Sequence, residues 1–308
     1  MPSPFVRCQI LPLPDHRVSF QLDGVERLCW QYGTSYPRPF FYPLVGPSGV
    51  SLTRMGHPGA PDHDHHRSVW FAHHKVVGVD FWSDRTKAQI RQQQWLAYHD
   101  GDDDCKMAVQ LGWYDGHDPK PMLQQELVVV LRPAQDCELF LELQSVFRPT
   151  AESLEFGQTN FGFLAVRVAK HLSAHFGGGI ISNDSGGVGE PAIFGKPSQY
   201  IDYSGQVPKG GFEGVTYVDH PSNPGFPARW HVREDGWMGA SVCMAASVVT
   251  TRREPLRLRY LLHAHRGKSD DARASKVAAD FAATPPLEVV KSTARHEHFT
   301  IRRVSKPT

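Results

Sequence analysis

The sequence predicts an all-β protein: a large antiparallel β-sandwich of the supersandwich kind, with one short C-terminal helix. Three observations carry this. Two segments, Glu138–Phe147 and Leu256–His263, alternate with the period of two that marks half-buried strands. Glycine (27) and proline (24) are plentiful and scattered, as many strands joined by turns require. Helical spacing is convincing only between Ser269 and Ala283.

In chain order, Glu126–Arg132 is a short β-branched strand, followed by Glu138–Phe147, where Leu139, Leu141, Leu143, Ser145 and Phe147 share a face. Gly162–Ala169, Gly214–Asp219, Ala228–Arg233 and Ala240–Val249 are shorter strand candidates, separated by turn clusters such as Ser182–Gly187 and Pro221–Gly225. Leu256–His263 then sets Leu256, Leu258, Tyr260 and Leu262 together. In the helix, Ser269 is the cap and Asp270 and Asp271 suit the positive end of the dipole. Ala274, Val277, Ala278 and Phe281 make its apolar stripe, and Pro285 and Pro286 stop it. With no repeat, low-complexity tract or linker, residues 1–308 read as one domain.

Composition narrows the function. The 308 residues carry a formal net charge of +1 with no basic stripe, which argues against nucleic acid and anionic membrane as partners. Five widely spaced cysteines, with no C-x-x-C, argue against a zinc ribbon and a disulfide framework. The N-terminus lacks a secretory pattern and no apolar run reaches membrane-spanning length, so a cytoplasmic protein is expected.

The densest chemistry lies in Pro61–His74, with five histidines, two aspartates and Arg67 in fourteen residues. Histidine exchanges protons near neutral pH and is the commonest metal ligand. The segment runs into an apolar, strand-like stretch ending at Gly78–Trp82. In an extended chain His63 and His65 face one way and His66 the other, unless the chain turns. Asp62 or Asp64 could orient an imidazole. The alternative is a polar loop whose histidines hold its shape through backbone hydrogen bonds. No H-x-x-x-H or H-x-x-E-H spacing supports a metal site, and no cofactor is implied.

Tryptophans beside polar residues (Trp70, Trp82, Trp95, Trp113, Trp230, Trp237) suit either sugar stacking or a sandwich core. Asp219-His220-Pro221 with Asn223, and Trp230-His231-Val232-Arg233, place ionisable groups beside turns. His73 and Asp80 are further candidates for substrate contact. Lys196 and Asp202 either contribute to a site or pair with each other. Glu126, Arg167 and Tyr203 are possible acid, base or charge-stabilising groups.

Several blocks together resemble the bacterial PmoA-like family, labelled "methane oxygenase PmoA": Arg38–Leu44 with Gly46-Pro47, Thr53-Arg54, Asp64–Ser68, Trp70–His73, Gly78–Trp82, Gly195-Lys196, Asp202–Gly205, Asp219–Pro221, Asn223 and Trp230–Arg233. The chain departs from the pattern at Phe194 and Tyr200, where tryptophan is usual, and at Gly239–Val242, which lacks an Asn-Pro. A subunit of the membrane methane-oxidising complex would carry membrane helices, and this chain has none. The resemblance implies instead an all-β protein similar to sugar mutarotases and some lyases, encoded among carbohydrate-catabolism functions.

The expected function is therefore acid–base chemistry on a sugar or an oxidised (keto) glycoside, by an epimerase, lyase or hydrolase, with a small-molecule or oligosaccharide substrate. His63, His65 or His66 would be the base, Arg67 would polarise a sugar oxygen, and His231 and Arg233 would approach from another strand. Trp70, His73, Asp80, Trp82, Lys196, Asp202, Asp219, His220 and Asn223 would bind substrate. Two alternatives stand beside this: a non-catalytic carbohydrate-binding protein, and a metal-dependent oxygenase with two histidines and a carboxylate around one ion.

Overall fold

A computed structural model describes residues 6–305. Its strands are, in order, β1 (Cys8–Leu13), β2 (Arg17–Leu22), β3 (Val25–Gln31), β4 (Phe40–Leu44), β5 (Val69–His73), β6 (Gln89–His99), β7 (Cys105–Tyr114), β8 (Leu123–Pro133), β9 (Leu139–Pro149) and β10 (Ser153–Phe156). There follow β11 (Gly162–Arg167), β12 (Ile180–Asn183), β13 (Tyr200–Gln206), β14 (Phe212–Asp219), β15 (Trp230–Arg233), β16 (Trp237–Ala240), β17 (Val248–Thr251), β18 (Leu256–Arg266), β19 (Leu287–Lys291) and β20 (Phe299–Arg303). Three helices interrupt them, the single turns α1 (Ala174–Gly177) and α2 (Glu190–Ile193) and the longer α3 (Asp271–Ala283). Two eight-stranded antiparallel sheets dominate, ordered β1-β2-β3-β4-β5-β11-β16-β15 and β12-β13-β14-β18-β9-β8-β7-β6. No helix among the described residues is long and apolar enough to cross a membrane.

The inner faces of the two sheets share one core, built from side chains such as Phe20, Phe71 and Met238 on the first and Leu127, Leu141 and Leu258 on the second. Leu139, Leu141, Leu143, Ser145 and Phe147 are fully buried, as their alternation predicts. The intervening Glu142, Gln144 and Val146 are buried too, because the outer face of this sheet is covered. The stripe Ala274, Val277, Ala278 and Phe281 of α3 sits on Tyr200, Val218 and Leu261. The β19–β20 hairpin lays Leu287 and Ile301 on Ala108, Val128 and Val130. A strand buried on both faces reads as an unbroken apolar run, which is what Leu127–Leu131 is.

Three local expectations are corrected. Asp270, not Ser269, caps α3, its carboxylate accepting from the Arg273 amide at 2.9 Å. The Ser269 amide donates instead to Ser204 Oγ at 3.1 Å. Ala240–Val249 is not one strand: β16 ends at Ala240 and β17 begins at Val248. The Ser241 hydroxyl donates to the Asn160 carbonyl at 2.6 Å and the Met244 amide to the Ser241 carbonyl at 3.0 Å, local bonds that compete with a ladder. The stretch after the histidines is strand only as far as His73, because Val76 and Val79 close a tight turn with Val77 at φ 49°. The five cysteines are free thiols.

Candidate functional site

Strand alternation sorts β5 into Val69, Phe71 and His73 facing the core and Trp70 and Ala72 facing outward. Register extends the outward set sideways: Trp70 lies opposite Ala165, Ala165 opposite Gly239, and Gly239 opposite His231. One row across β5, β11, β16 and β15 thus reads Trp-Ala-Gly-His, and its two small middle residues leave a hollow on the outer face. A Cβ at Gly239 would lie 3.3 Å from Trp237 Nε1, so the glycine admits that indole beside the row. Trp237 packs on Trp82, Phe161 and His66, with ring centroids 5.4, 5.7 and 5.1 Å away.

The histidine loop covers this hollow. Pro61–His63 forms a 3-10 turn and the His66 amide donates to the His63 carbonyl at 3.0 Å. The chain therefore turns, and His63, His65 and His66 line one cleft, which replaces the extended picture in which His66 faced away. His66 seats the loop, its ring stacked on Trp70 at 5.5 Å with an interplanar angle of 23°. The cleft holds about 280 Å³. Its wall is completed by His74, Asp80, Trp82, Ser83, Phe161, His231, Arg233, Asp235 and Trp237. It continues outward past Asp62, Asp64 and Asp84.

Two imidazoles present the same face. His65 Nδ1 lies 3.1 Å from the Asp62 carbonyl and His231 Nδ1 3.1 Å from the Asn160 carbonyl. A carbonyl only accepts, so each Nδ1 carries the proton and each Nε2 is left as an acceptor. Burial, with Arg38's charge behind it, brings His65 down to about 4, and burial brings His231 down to about 4. Burial pushes His66 down further still. All three are neutral at pH 7. Asp235 is their opposite. Burial would raise its carboxyl, but fully buried Arg167 forks onto it at 2.7 and 3.1 Å and holds it below the usual range. His57 Nε2 also reaches it, at 3.0 Å.

The hydrogen bonding here is left incomplete. Elsewhere buried tryptophans are satisfied: Trp30 donates to Gln92 at 2.8 Å, Trp113 to Gln125 at 2.9 Å and Trp230 to the Ser198 carbonyl at 2.8 Å. Around the cleft, the indole nitrogens of Trp70, Trp82 and Trp237, both nitrogens of His66 and Nε2 of His231 are buried without a partner. Buried polar atoms are normally paired, so these six leave the walls of the cleft under-bonded, as are Arg259 Nε, Tyr260 Oη and His263 Nδ1 elsewhere.

Of the residues singled out from sequence, His63, His65, His66, Asp80, Trp82, His231 and Arg233 meet at the cleft. The others do not line it. Arg67 is forked onto Asp84 and lies 4.9 Å from the Tyr36 ring, so its guanidinium is already engaged. Trp70 is the support beneath His66. His73 points into the core, stacked on Phe163 at 4.7 Å. Lys196 is exposed and Asp202 does not pair with it, since Asp202 accepts from Thr216 at 2.7 Å and joins His265 at 2.8 Å. Asp219 accepts from Asn223 at 2.6 Å and from the amides of His220 and Ala228, while His220 meets Arg259 at 2.8 Å. This second group braces the turn after β14 against β18 and α3. Arg233 is bound to Glu190 at the rim.

Asp235 and Phe161 were not found from sequence. Glu234-Asp235-Gly236 reads as an ordinary hairpin turn, and only the pairing of β16 with β11, which sets Trp237 opposite Arg167, brings it over Arg167. Tyr203 contributes indirectly, its hydroxyl donating to the Glu234 carbonyl at 2.9 Å and so fixing that turn. Among the described residues, no three His, Cys, Asp or Glu side chains converge in a metal-ligating arrangement.

No curated protein matches the chain in sequence. Among solved structures, a 4-alpha-glucanotransferase from Thermococcus litoralis is similar over 85% of this chain, at 11% identity and a TM-score of 0.32. The likeness spans 40% of that protein's chain. A family model matches residues 17–279, and the chain belongs to that family, a family of unknown function (DUF6807).

Proposed function

We propose that the cleft on the outer face of the first sheet is a carbohydrate site at which the protein carries out acid–base chemistry, as an epimerase, a lyase or a hydrolase of a sugar or oxidised glycoside. The observation that carries this is the pairing, in one cleft, of an aromatic wall with unspent hydrogen-bonding groups. Trp82, Phe161 and Trp237 offer flat faces to the C–H surface of a sugar ring. His65, His231 and Asp235 offer acceptors to its hydroxyls. The resemblance of Asp64–Ser68 and Gly78–Trp82 to PmoA-like, mutarotase-like proteins points the same way.

In this reading the Nε2 of His65, half-buried and with its tautomer set by the Asp62 carbonyl, takes a proton from a substrate C–H or O–H and becomes an imidazolium. Asp84 steadies that charge, and Asp235, kept ionised by Arg167, orients a substrate hydroxyl. His231 hydrogen-bonds through Nε2. A purely binding protein would use the aromatic wall but has no need of neutral imidazoles with assigned tautomers. Among the described residues no converging ligand set supports the metal-oxygenase alternative.

Two indoles in the wall make the test direct. Titration with neutral sugars and 3-keto glycosides, followed by intrinsic fluorescence and by product analysis, is expected to quench the signal and to convert at least one substrate. Trp82→Phe and Trp237→Phe should each remove part of the quench. A fluorescence signal indifferent to the whole panel sinks the proposal.

A further inference from the structure

Charge around the cleft is distributed in a way that bears on what it admits. The guanidinium groups behind it are all engaged. Arg167 is forked onto Asp235. Arg38, 2% exposed, donates to the Phe81 carbonyl at 3.0 Å and to Asp84 at 2.6 Å. Arg67 is forked onto the same Asp84. None of the three lines the cleft. Among the lining residues Arg233 is the one arginine or lysine; it is bound to Glu190 and lies 4.9 Å from the Phe194 ring. What faces the interior is the Asp235 and Asp80 carboxylates, imidazoles and indoles.

Carboxylates and phosphates are recognised by free guanidinium or ammonium groups, or by backbone amides at a helix N-terminus. The inner wall offers no free cation, and the exposed Arg85 stands in the outward continuation. An anion entering would lose its water beside Asp235 and Asp80, while the nearest guanidinium groups, Arg167 and Arg233, are already bound to Asp235 and Glu190. The inner part, about 280 Å³, suits a single ring, and the outward continuation of about 610 Å³ leaves room for the aglycone or further rings.

From this we infer that the cleft selects one uncharged, hydroxyl-bearing sugar ring and rejects the corresponding uronate and sugar phosphate. The inference rests on the carbohydrate reading above and narrows it. Asp235 and His65 Nε2 accept from hydroxyls, and Trp82, Phe161 and Trp237 line the cleft with aromatic surface for the ring's C–H face.

The full chain is titrated calorimetrically with methyl glycosides of glucose, galactose and mannose, and with the matching uronides, 6-phosphates and 2-amino sugars. The neutral member of at least one series is expected to bind roughly 10²-fold more tightly than its uronate or phosphate. That ratio should narrow in 1 M salt, because the rejection is electrostatic. It should narrow again in Asp80→Asn, and in Asp235→Asn if that variant folds. Equal or tighter binding of the anions overturns the inference while leaving a sugar site standing, and a 2-amino sugar bound at least as well as the neutral ring supports the electrostatic rejection. Binding by no sugar at all overturns the carbohydrate reading and this inference together.

Discussion

Two histidine-bearing clusters, one on each sheet, are wired in opposite ways. On the second sheet both ring nitrogens of His265 are taken, Nε2 by Asp202 at 2.8 Å and Nδ1 by Arg273 at 2.9 Å. Neighbouring His263 meets Glu138 at 2.7 Å, and Arg273 belongs to α3. Through Arg273 that network ties the helix to the sheet, and it leaves His263 Nδ1 and Asp202 Oδ1 unpaired. At the cleft, His65 and His231 each spend one nitrogen on a backbone carbonyl and keep the other. Equal residue types thus serve stability in one place and leave chemistry available in the other. What separates His265 from His65 and His231 is that two charged side chains, Asp202 and Arg273, take both of its nitrogens, whereas a single backbone carbonyl takes one nitrogen of each cleft histidine.

The sharpest way to break this contrast is His65→Ala. Turnover is expected to fall by roughly 10²–10⁴, the usual share of general acid–base catalysis. Stability should change by less than about 1 kcal/mol, because a half-buried loop side chain is lost. Normal turnover with a lowered melting temperature would make the loop a structural element. Asp202→Ala should behave in reverse. Removing one partner of a buried pair costs about 3–5 kcal/mol. Denaturant unfolding should show that loss, and the folded fraction should bind sugar as the parent does.

Acid should act through the buried neutral histidines, and His73 isolates the effect. Its folded pKa is lowered by burial to about 4 from an ordinary 6.5, and it stacks among phenylalanines with no carboxylate partner. The unfolded chain therefore takes up this proton first as pH falls. The stabilisation is complete above pH 6.5 and is lost progressively towards pH 4, by up to about 3 kcal/mol. Urea midpoints across that window should slope less in His73→Phe; an unchanged slope would remove His73 from the acid response. The smallest effect expected is for Arg67→Lys. Lysine cannot reproduce the fork onto Asp84, so about 1–2 kcal/mol of stability should be lost. Substrate affinity should hardly move, since Arg67 does not line the cleft. A large loss of affinity with intact stability would restore Arg67 as a substrate contact.

Much of the architecture was legible because period-two alternation reports burial directly. Leu139–Phe147, Leu256–Leu262 and the stripe of α3 lie where their spacing put them. The errors sit where a local hydrogen bond outweighs propensity, as at Ser241 and at the Asp270 cap. They also sit where a polar residue's partner is distant in sequence, as with Asp202 and His265 or Asn223 and Arg259. Composition marked His63–His66 as the chemical centre of the chain but could not separate Arg67, which serves Asp84, from His65, which keeps a free nitrogen.

The sequence by itself determined the all-β class, the position of the helix and the concentration of histidine in one loop just before a tryptophan-bearing strand, because each is carried by neighbours within a few residues. Only the tertiary structure decided which of these groups share a cleft. The row Trp70, Ala165, Gly239, His231 exists because strands far apart in the chain pair in a particular register. Asp235 became a site residue because that same pairing set it over Arg167. Strand register is a long-range choice, settled by which faces of two sheets bury together, and no local window of the chain contains it.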